Sequence, residues 1–302
     1  MKDETGSSAS NYVLLAWVPL AFGTGPVIAR ALADSFGPAT LTVFRWSLPA
    51  LVIGALALLR GDKERWRASR TDYAVFILLG ICGMGFCSYA SFAGARTATA
   101  TTVGLIYACT AAVVAAYEIV RGRVTPRWDL LAGLALCLSG VATLLTRGHL
   151  ETIASLRIGA GELWSIAGML VWAFYSLAMR PRTHLLTPMA AFTVTSIAAT
   201  VVAAPLMLFE LHTQPLHAVT FRQLLWLAAL AGINGVAAFI GYNASLTRNG
   251  AILTSASISL APVYIAVMAV TLIGEQTAWY HGAALALVTS GLVAINVTRS
   301  RG

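Results

Sequence analysis

The sequence predicts an all-α membrane protein: ten transmembrane helices built as two inverted five-helix repeats. Three observations carry that expectation. First, 58% of the 302 residues are hydrophobic and 11% are charged. A soluble domain holds about 25% charged residues, so spans have to be sought by length and hydropathy. Second, ten apolar segments occupy residues 12–32, 39–59, 73–95, 98–120, 128–146, 161–180, 188–209, 223–246, 251–273 and 279–297. Each is about 20 residues long, the length that crosses a bilayer as a helix. Third, "LALCLSG" at residues 134–140 returns as "LALVTSG" at residues 285–291, an offset of 151 residues.

Basic residues orient the segments. With the N-terminus cytoplasmic, 14 Lys and Arg residues fall at cytoplasmic ends: Lys2, Arg60, Lys63, Arg65, Arg67, Arg70, Arg121, Arg123, Arg127, Arg180, Arg182, Arg248, Arg299 and Arg301. Five fall on the other side, namely Arg30, Arg96, Arg147, Arg157 and Arg222, and Arg45 lies within segment 2. The positive-inside rule favours this arrangement. Both termini are then cytoplasmic, in the plasma membrane or, in a bacterium, the inner membrane. The net charge of +8 sits in short loops rather than on one soluble face, which argues against a nucleic-acid partner and for a lipid bilayer. The start, "MKDETGSSASN", carries no apolar signal-peptide core, so segment 1 is expected to remain as a span.

Taken in order, the segments carry different features. Segment 1 holds "WVPLAFGTGP", in which Pro19, Gly23, Gly25 and Pro26 make a continuous straight helix unexpected. The two readings are a simple kink and a break near the midplane, the second being a pointer to a binding site. Segment 2 contains Arg45, which can pair with Glu118, meet a substrate carboxylate, or snorkel outward. Segment 3 contains Gly80, Gly83, Ser88 and Tyr89, and segment 4 contains Tyr107 and Glu118. Glu118 is either a paired interface residue or a gate or proton site. Segment 5 carries the repeated stretch, and segment 6 holds Trp172 and Tyr175. Segment 8 holds Gly232, Gly235, Tyr242 and Asn243, and segment 9 holds "TSASISLAP". Ser255 and Ser259 of that stretch share a helical face and Ser257 does not.

Alignment of the halves extends the repeat. At an offset of 152, Gly80 and Gly83 fall on Gly232 and Gly235, Thr102 on Thr254, and Gly122 on Gly274. One single-residue gap then restores the offset of 151. Five helices is an odd number, so the second copy enters the membrane upside down. The loops agree. "ALLRGDKERWRASRTD" after segment 2 is rich in Arg, whereas "FELHTQPLHAVTF" after segment 7 has no Lys or Arg. "VRGRVTPRW" after segment 4 is basic, whereas "IGEQTAWY" after segment 9 is acidic. The repeats are assigned to residues 1–147 and 148–302.

The second half, "SLAPVYIAVMAVTLIGEQTAWYHGAALALVTSGLVAI", combines an apolar helix carrying Pro262, a Gly274–Glu275 turn and a final Gly-containing helix. This resembles the drug/metabolite transporter superfamily with two EamA-type repeats. The first half departs from the pattern: Thr110 stands where the proline would be, and Arg123 replaces the glutamate. The whole-chain pattern most resembles the YddG-type exporters of aromatic and other neutral amino acids. That resemblance implies a ten-helix basket with a cavity lined mainly by helices 1, 3, 4, 6, 8 and 9, and outward movement of substrate.

The expected chemistry is transport of an amino acid or similar small metabolite by alternating access, without a cofactor. Another cargo on the same fold is the alternative, and a non-transporting membrane enzyme or sensor is a further one. The cysteines Cys82, Cys87, Cys109 and Cys137 lie in apolar segments, and the five histidines lie in loops or near helix ends. Neither set forms a metal-ligand pattern, and catalytic motifs are absent. Candidate substrate-binding residues are Trp17, Ser88, Tyr89, Tyr107, Trp172, Tyr175, Tyr242, Asn243, Ser255 and Ser259. Arg45 and Glu118 are the candidate gate or ion pair. Gly23, Gly25, Pro26, Gly80, Gly83, Gly232 and Gly235 are candidate breaks or hinges.

Overall fold

The computed structural model describes residues 4–59, 68–149, 158–213 and 218–300. Among the described residues, nine helices are long and apolar enough to cross a membrane: α1 (Asn11–Leu32), α2 (Pro38–Leu59), α3 (Arg70–Gly94), α4 (Ala100–Val120), α5 (Trp128–Leu145), α6 (Ala160–Arg182), α7 (Pro188–Thr213), α8 (Phe221–Gly250) and α9 (Leu253–Ile273). The tenth, α10 (Trp279–Ser300), contains the apolar stretch Trp279–Ile295. Among the described residues there is no β-strand. Lys2, Arg60, Lys63, Arg65, Trp66, Arg67, Arg157, His217 and Arg301 lie outside the described residues, and with them part of the loop-charge contrast.

The duplication is written into the backbone. Ser69 caps α3 by accepting from Asp72 N, and Asp72 accepts in return from Ser69 N. Thr220 and Gln223 form the same reciprocal capping box at the start of α8. Both helices then widen into π-helical turns, Gly80–Phe86 in α3 and Leu230–Ala237 in α8. The helical run of α4 is interrupted at Cys109, and that of α9 between Ile258 and Ala261. Gly122 and Gly274 close α4 and α9 with φ of 66° and 67°, a conformation that glycine adopts without a Cβ penalty.

Packing follows the same two-fold relation. Helices α2 and α7 pack side by side, as do α5 and α10, so each pair joins the two halves. Helix α1 packs on α8 and α9, and α6 packs on α3 and α4. The repeated stretch meets its own copy. Gly133 and Gly140 of α5 lie against the Gly291 and Ala284 carbonyls of α10, and Cys137 Sγ is 3.8 Å from Val288 O. Apolar attraction between helices is weak in lipid, and small residues gain close van der Waals packing instead.

Helix α1 bears on the two readings of its prolines. It is continuous from Glu4 to Leu32 through Pro19 and Pro26, with no break at Gly23 or Gly25. Pro26 has no N–H, so the carbonyl of Phe22 loses its donor. Asn234 of α8 replaces it, donating from Nδ2 to Phe22 O and to Ala21 O at 3.0 Å each. Gly25 leaves the space that this amide occupies, and Gly23 fits α1 closely against Ile265 and Met268 of α9. Protein, rather than a wet cavity, satisfies the freed carbonyl.

Candidate functional site

Helices α2, α3, α4 and α6 converge on one polar centre inside the bundle. Tyr107 of α4 donates its Oη to Cys87 O of α3 at 2.7 Å. A Cβ on Gly168 would collide with that phenol, so the absent side chain is what lets Tyr107 lie against α6. The Cys87 thiol donates to Gly168 O at 3.2 Å, tying α3 to α6 at the same level. Trp172 follows Gly168 by one helical turn and stacks on Tyr175, with ring centroids 5.0 Å apart. Tyr175 in turn fills the space left by Gly83 in the π-helical turn of α3.

Arg45 enters this centre from α2, a helix outside the set the resemblance implied. Its Cζ lies 4.7 Å from the centroid of Trp46 and 5.9 Å from that of Phe92, within cation–π range. Its Nε is buried and has no hydrogen-bond partner. Trp46 itself is fixed by donating Nε1 to Ser88 Oγ at 2.8 Å and to Met84 O at 3.1 Å. Ser88 is therefore buried as the acceptor for an indole, in a position to hold the Arg45 platform.

Glu118 does not reach Arg45. It is 6% exposed and lies 3.4 Å from Arg180 of α6 and 3.8 Å from Arg123, both of whose side chains are exposed. This cluster sits at the face where α4 and α6 end, well away from the polar centre.

The remaining residues divide between two seams and the surface. Trp17 lies against Gly241, and Tyr242 meets Phe22 edge-on at 6.1 Å, both between α1 and α8. Asn243 Nδ2 donates to Phe239 O within its own helix at 2.9 Å. Tyr89 packs edge-on to Trp164 at 5.6 Å, beside the exposed Phe86, on the side of α3 turned from Ser88 and Cys87. Ser255 is exposed while Ser259, just before the interruption in α9, is buried. Gly80 and Gly235 make close approaches, to the Thr195 backbone and to Pro49, but Gly232 has nothing within 4 Å. A surface recess bounded by Thr97, Arg147, Gly159 and Glu162 lies at the opposite rim, away from the centre.

Sequence reasoning passed over Trp46, Phe92, Gly168 and Asn234. A tryptophan next to the lone mid-span arginine was a usable signal, as was an asparagine between Gly232 and Gly235. Phe92 and Gly168 had none, because their role depends on which neighbour faces them. Among the described residues, no group of three or more His, Cys, Asp or Glu is placed to hold a metal ion.

Residues 10–146 and 159–297 each match the family described as EamA-like transporters. The chain is 25% identical over 256 residues to the uncharacterized transporter YyaM of Bacillus subtilis, covering 83% of this chain and 82% of that one. It is 23% identical over 274 residues to an uncharacterized transporter of Archaeoglobus fulgidus, covering 89% and 91%. A crystal structure at 19% identity matches with a TM-score of 0.66 over 97% of this chain and 98% of the other, a likeness of fold.

Proposed function

This chain belongs to the EamA-like transporter family, and from that premise we propose that it carries neutral amino acids, aromatic ones among them, or similar small metabolites. The observation behind the proposal is the centre where a guanidinium, a phenol and the stacked Trp172–Tyr175 pair are gathered on α2, α4 and α6. A zwitterion needs donors for its carboxylate and acceptors for its ammonium, and its side chain needs an apolar or stacking wall. Phosphorylated cargo calls for several cations, and among the described residues Arg45 is the one cation placed at this centre. Cationic drugs call for a free acid, and Glu118 is held by two arginines.

Alternating access follows from the inverted repeat. Residues 1–147 and 148–302 act as the two halves that exchange conformations. The π-helical turns of α3 and α8 and the interruptions in α4 and α9 are the bending points. Trp17, Tyr242, Asn243 and Ser255 are proposed as further contacts met as the halves move. The arginine-rich face is assigned to the cytoplasm of a plasma membrane by the positive-inside rule, and transport is outward.

Counterflow of labelled phenylalanine in proteoliposomes tests the proposal. Saturable flux inhibited by neutral amino acids is expected, with about a tenfold or greater loss in Trp172→Ala from the missing stacking surface. Folded, reconstituted protein that exchanges none of these amino acids would remove the assignment and leave the fold untouched.

A further inference from the structure

We infer that Arg45 is the carboxylate-binding residue of this transporter, and that the carboxylate defines the cargo class. Small organic monocarboxylates bind whether or not they carry an amino group. The inference rests on the transport reading above and narrows it.

The argument begins with position. Arg45 lies seven residues into α2, which starts at Pro38, so it sits about 10 Å along the helix from that end. An arginine at such depth is costly unless it is paired, hydrated or used. Snorkelling toward the interface is one escape. The side chain does not take it, because it lies against Trp46 and Phe92 inside the bundle.

The second step is pairing. Three described glutamates are engaged elsewhere. Glu118 pairs with Arg180 and Arg123, Glu210 caps α2, and Glu275 caps α4. Arg45 has no ion pair with any described residue, and its Nε is buried without an acceptor. A structural arginine usually has an acceptor for its N–H donors. This one ends on two aromatic rings, which hold the guanidinium plane without consuming its N–H donors.

The third step is the chemistry of the missing partner. A guanidinium presents its donors in a rigid fork that matches a carboxylate with two parallel hydrogen bonds. The rings beside it reduce access of water, which strengthens such a pair. Nearby groups able to receive an ammonium are neutral: Tyr107 Oη keeps a free lone pair after donating to Cys87 O. The carboxylate therefore meets a full charge and the amino group only dipoles, so loss of the first costs far more than loss of the second.

The test uses the purified full-length protein and four probes: phenylalanine, 3-phenylpropanoate, phenethylamine and phenylalaninamide. Binding is read by thermal shift and competition by counterflow. The expected result is that 3-phenylpropanoate binds within about tenfold of phenylalanine, whereas phenethylamine and the amide lose about 30-fold or more. Arg45→Gln should lose about 30-fold for both carboxylates, and Arg45→Lys, which keeps the charge without the fork, should fall between. Unchanged carboxylate affinity in folded Arg45→Gln overturns the inference, as does phenethylamine competing as well as phenylalanine. Should Arg45→Gln fail to fold, the wild-type probe series and Arg45→Lys decide alone. Arg45-dependent binding of 3-phenylpropanoate without phenylalanine binding removes the amino-acid reading and upholds this inference. Binding of no carboxylate, with alanine and propanoate included as small probes, overturns both.

Discussion

The ends of α4 and α9 have the same backbone and opposite chemistry. Gly122 and Gly274 adopt the same left-handed turn, but Arg123 follows the first and Glu275 the second. Glu275 crosses to the other half and accepts from Ala100 N at 3.1 Å, capping α4. Glu210 of α7 does the same for α2, accepting from Ala39 N, Thr40 N and the Thr40 hydroxyl, each at 2.9 Å. A carboxylate at a helix N-terminus satisfies donors that the helix leaves free and meets the positive end of its dipole. At the arginine-rich face one described link between halves is Glu118 to the exposed Arg180, a pair screened by solvent. Duplication thus supplied a symmetric frame, and divergence of a few terminal residues gave its two faces different links: carboxylate caps on helix ends at one, and an exposed ion pair at the other.

The contrast can be broken most forcefully at the π-helical turns. A Cβ on Gly80 would fall onto the Thr195 backbone of α7, whereas its mate Gly232 faces open space. Gly80→Ala should destabilise the protein by about 1–3 kcal/mol through overpacking, and Gly232→Ala should be neutral or slightly stabilising. Thermal unfolding in detergent separates them, and equal midpoints would refute the asymmetry. A second effect of similar size is expected from Asn234→Leu. It removes the donor for Phe22 O and Ala21 O and should cost about 1–3 kcal/mol. Pro26→Ala, which restores the helix's own donor to Phe22 O, should recover part of the lost midpoint in the double variant.

The smallest differences sharpen the comparison of the two faces. Glu275→Ala should cost about 1 kcal/mol by removing a helix cap. Glu118→Gln should cost less than about 1 kcal/mol, because both of its arginine partners are exposed. High salt should shrink the Glu118→Gln difference and leave most of the Glu275→Ala one. A reversed order, read from unfolding midpoints at low and high salt, would show that the arginine-rich face is the tighter one.

Much of this was legible in the order of residues. Hydropathy fixes where a helix must lie in a bilayer, because an unpaired backbone group in lipid is prohibitive. The spans could therefore be read directly, although α7 and α8 run several residues beyond their apolar stretches. Glu210 shows why: it is polar in sequence but buries its charge on the start of α2. The repeat was legible through glycines and the "LAL" stretch, and the family followed from Pro262, Gly274 and Glu275. The reciprocal caps at Ser69–Asp72 and Thr220–Gln223 were equally readable and strengthen the same conclusion.

The sequence by itself determined the apolar spans and their inverted duplication, since each depends on length, period and local turn chemistry, and its resemblance to known transporters pointed to the family. Tertiary structure decided what the individual polar residues do. Pro26 left a kink and a break both open, and Asn234, 208 positions away in the chain, replaced the missing donor in a helix that stays continuous. Ser88 looked free to meet substrate and was taken by Trp46. For Arg45 a pair with Glu118 was one reading among several, and the fold gave Glu118 two other arginines while setting Arg45 against aromatic rings. A hydrogen bond or ion pair is a property of two groups brought within about 3 Å, and only the packed helices bring them there.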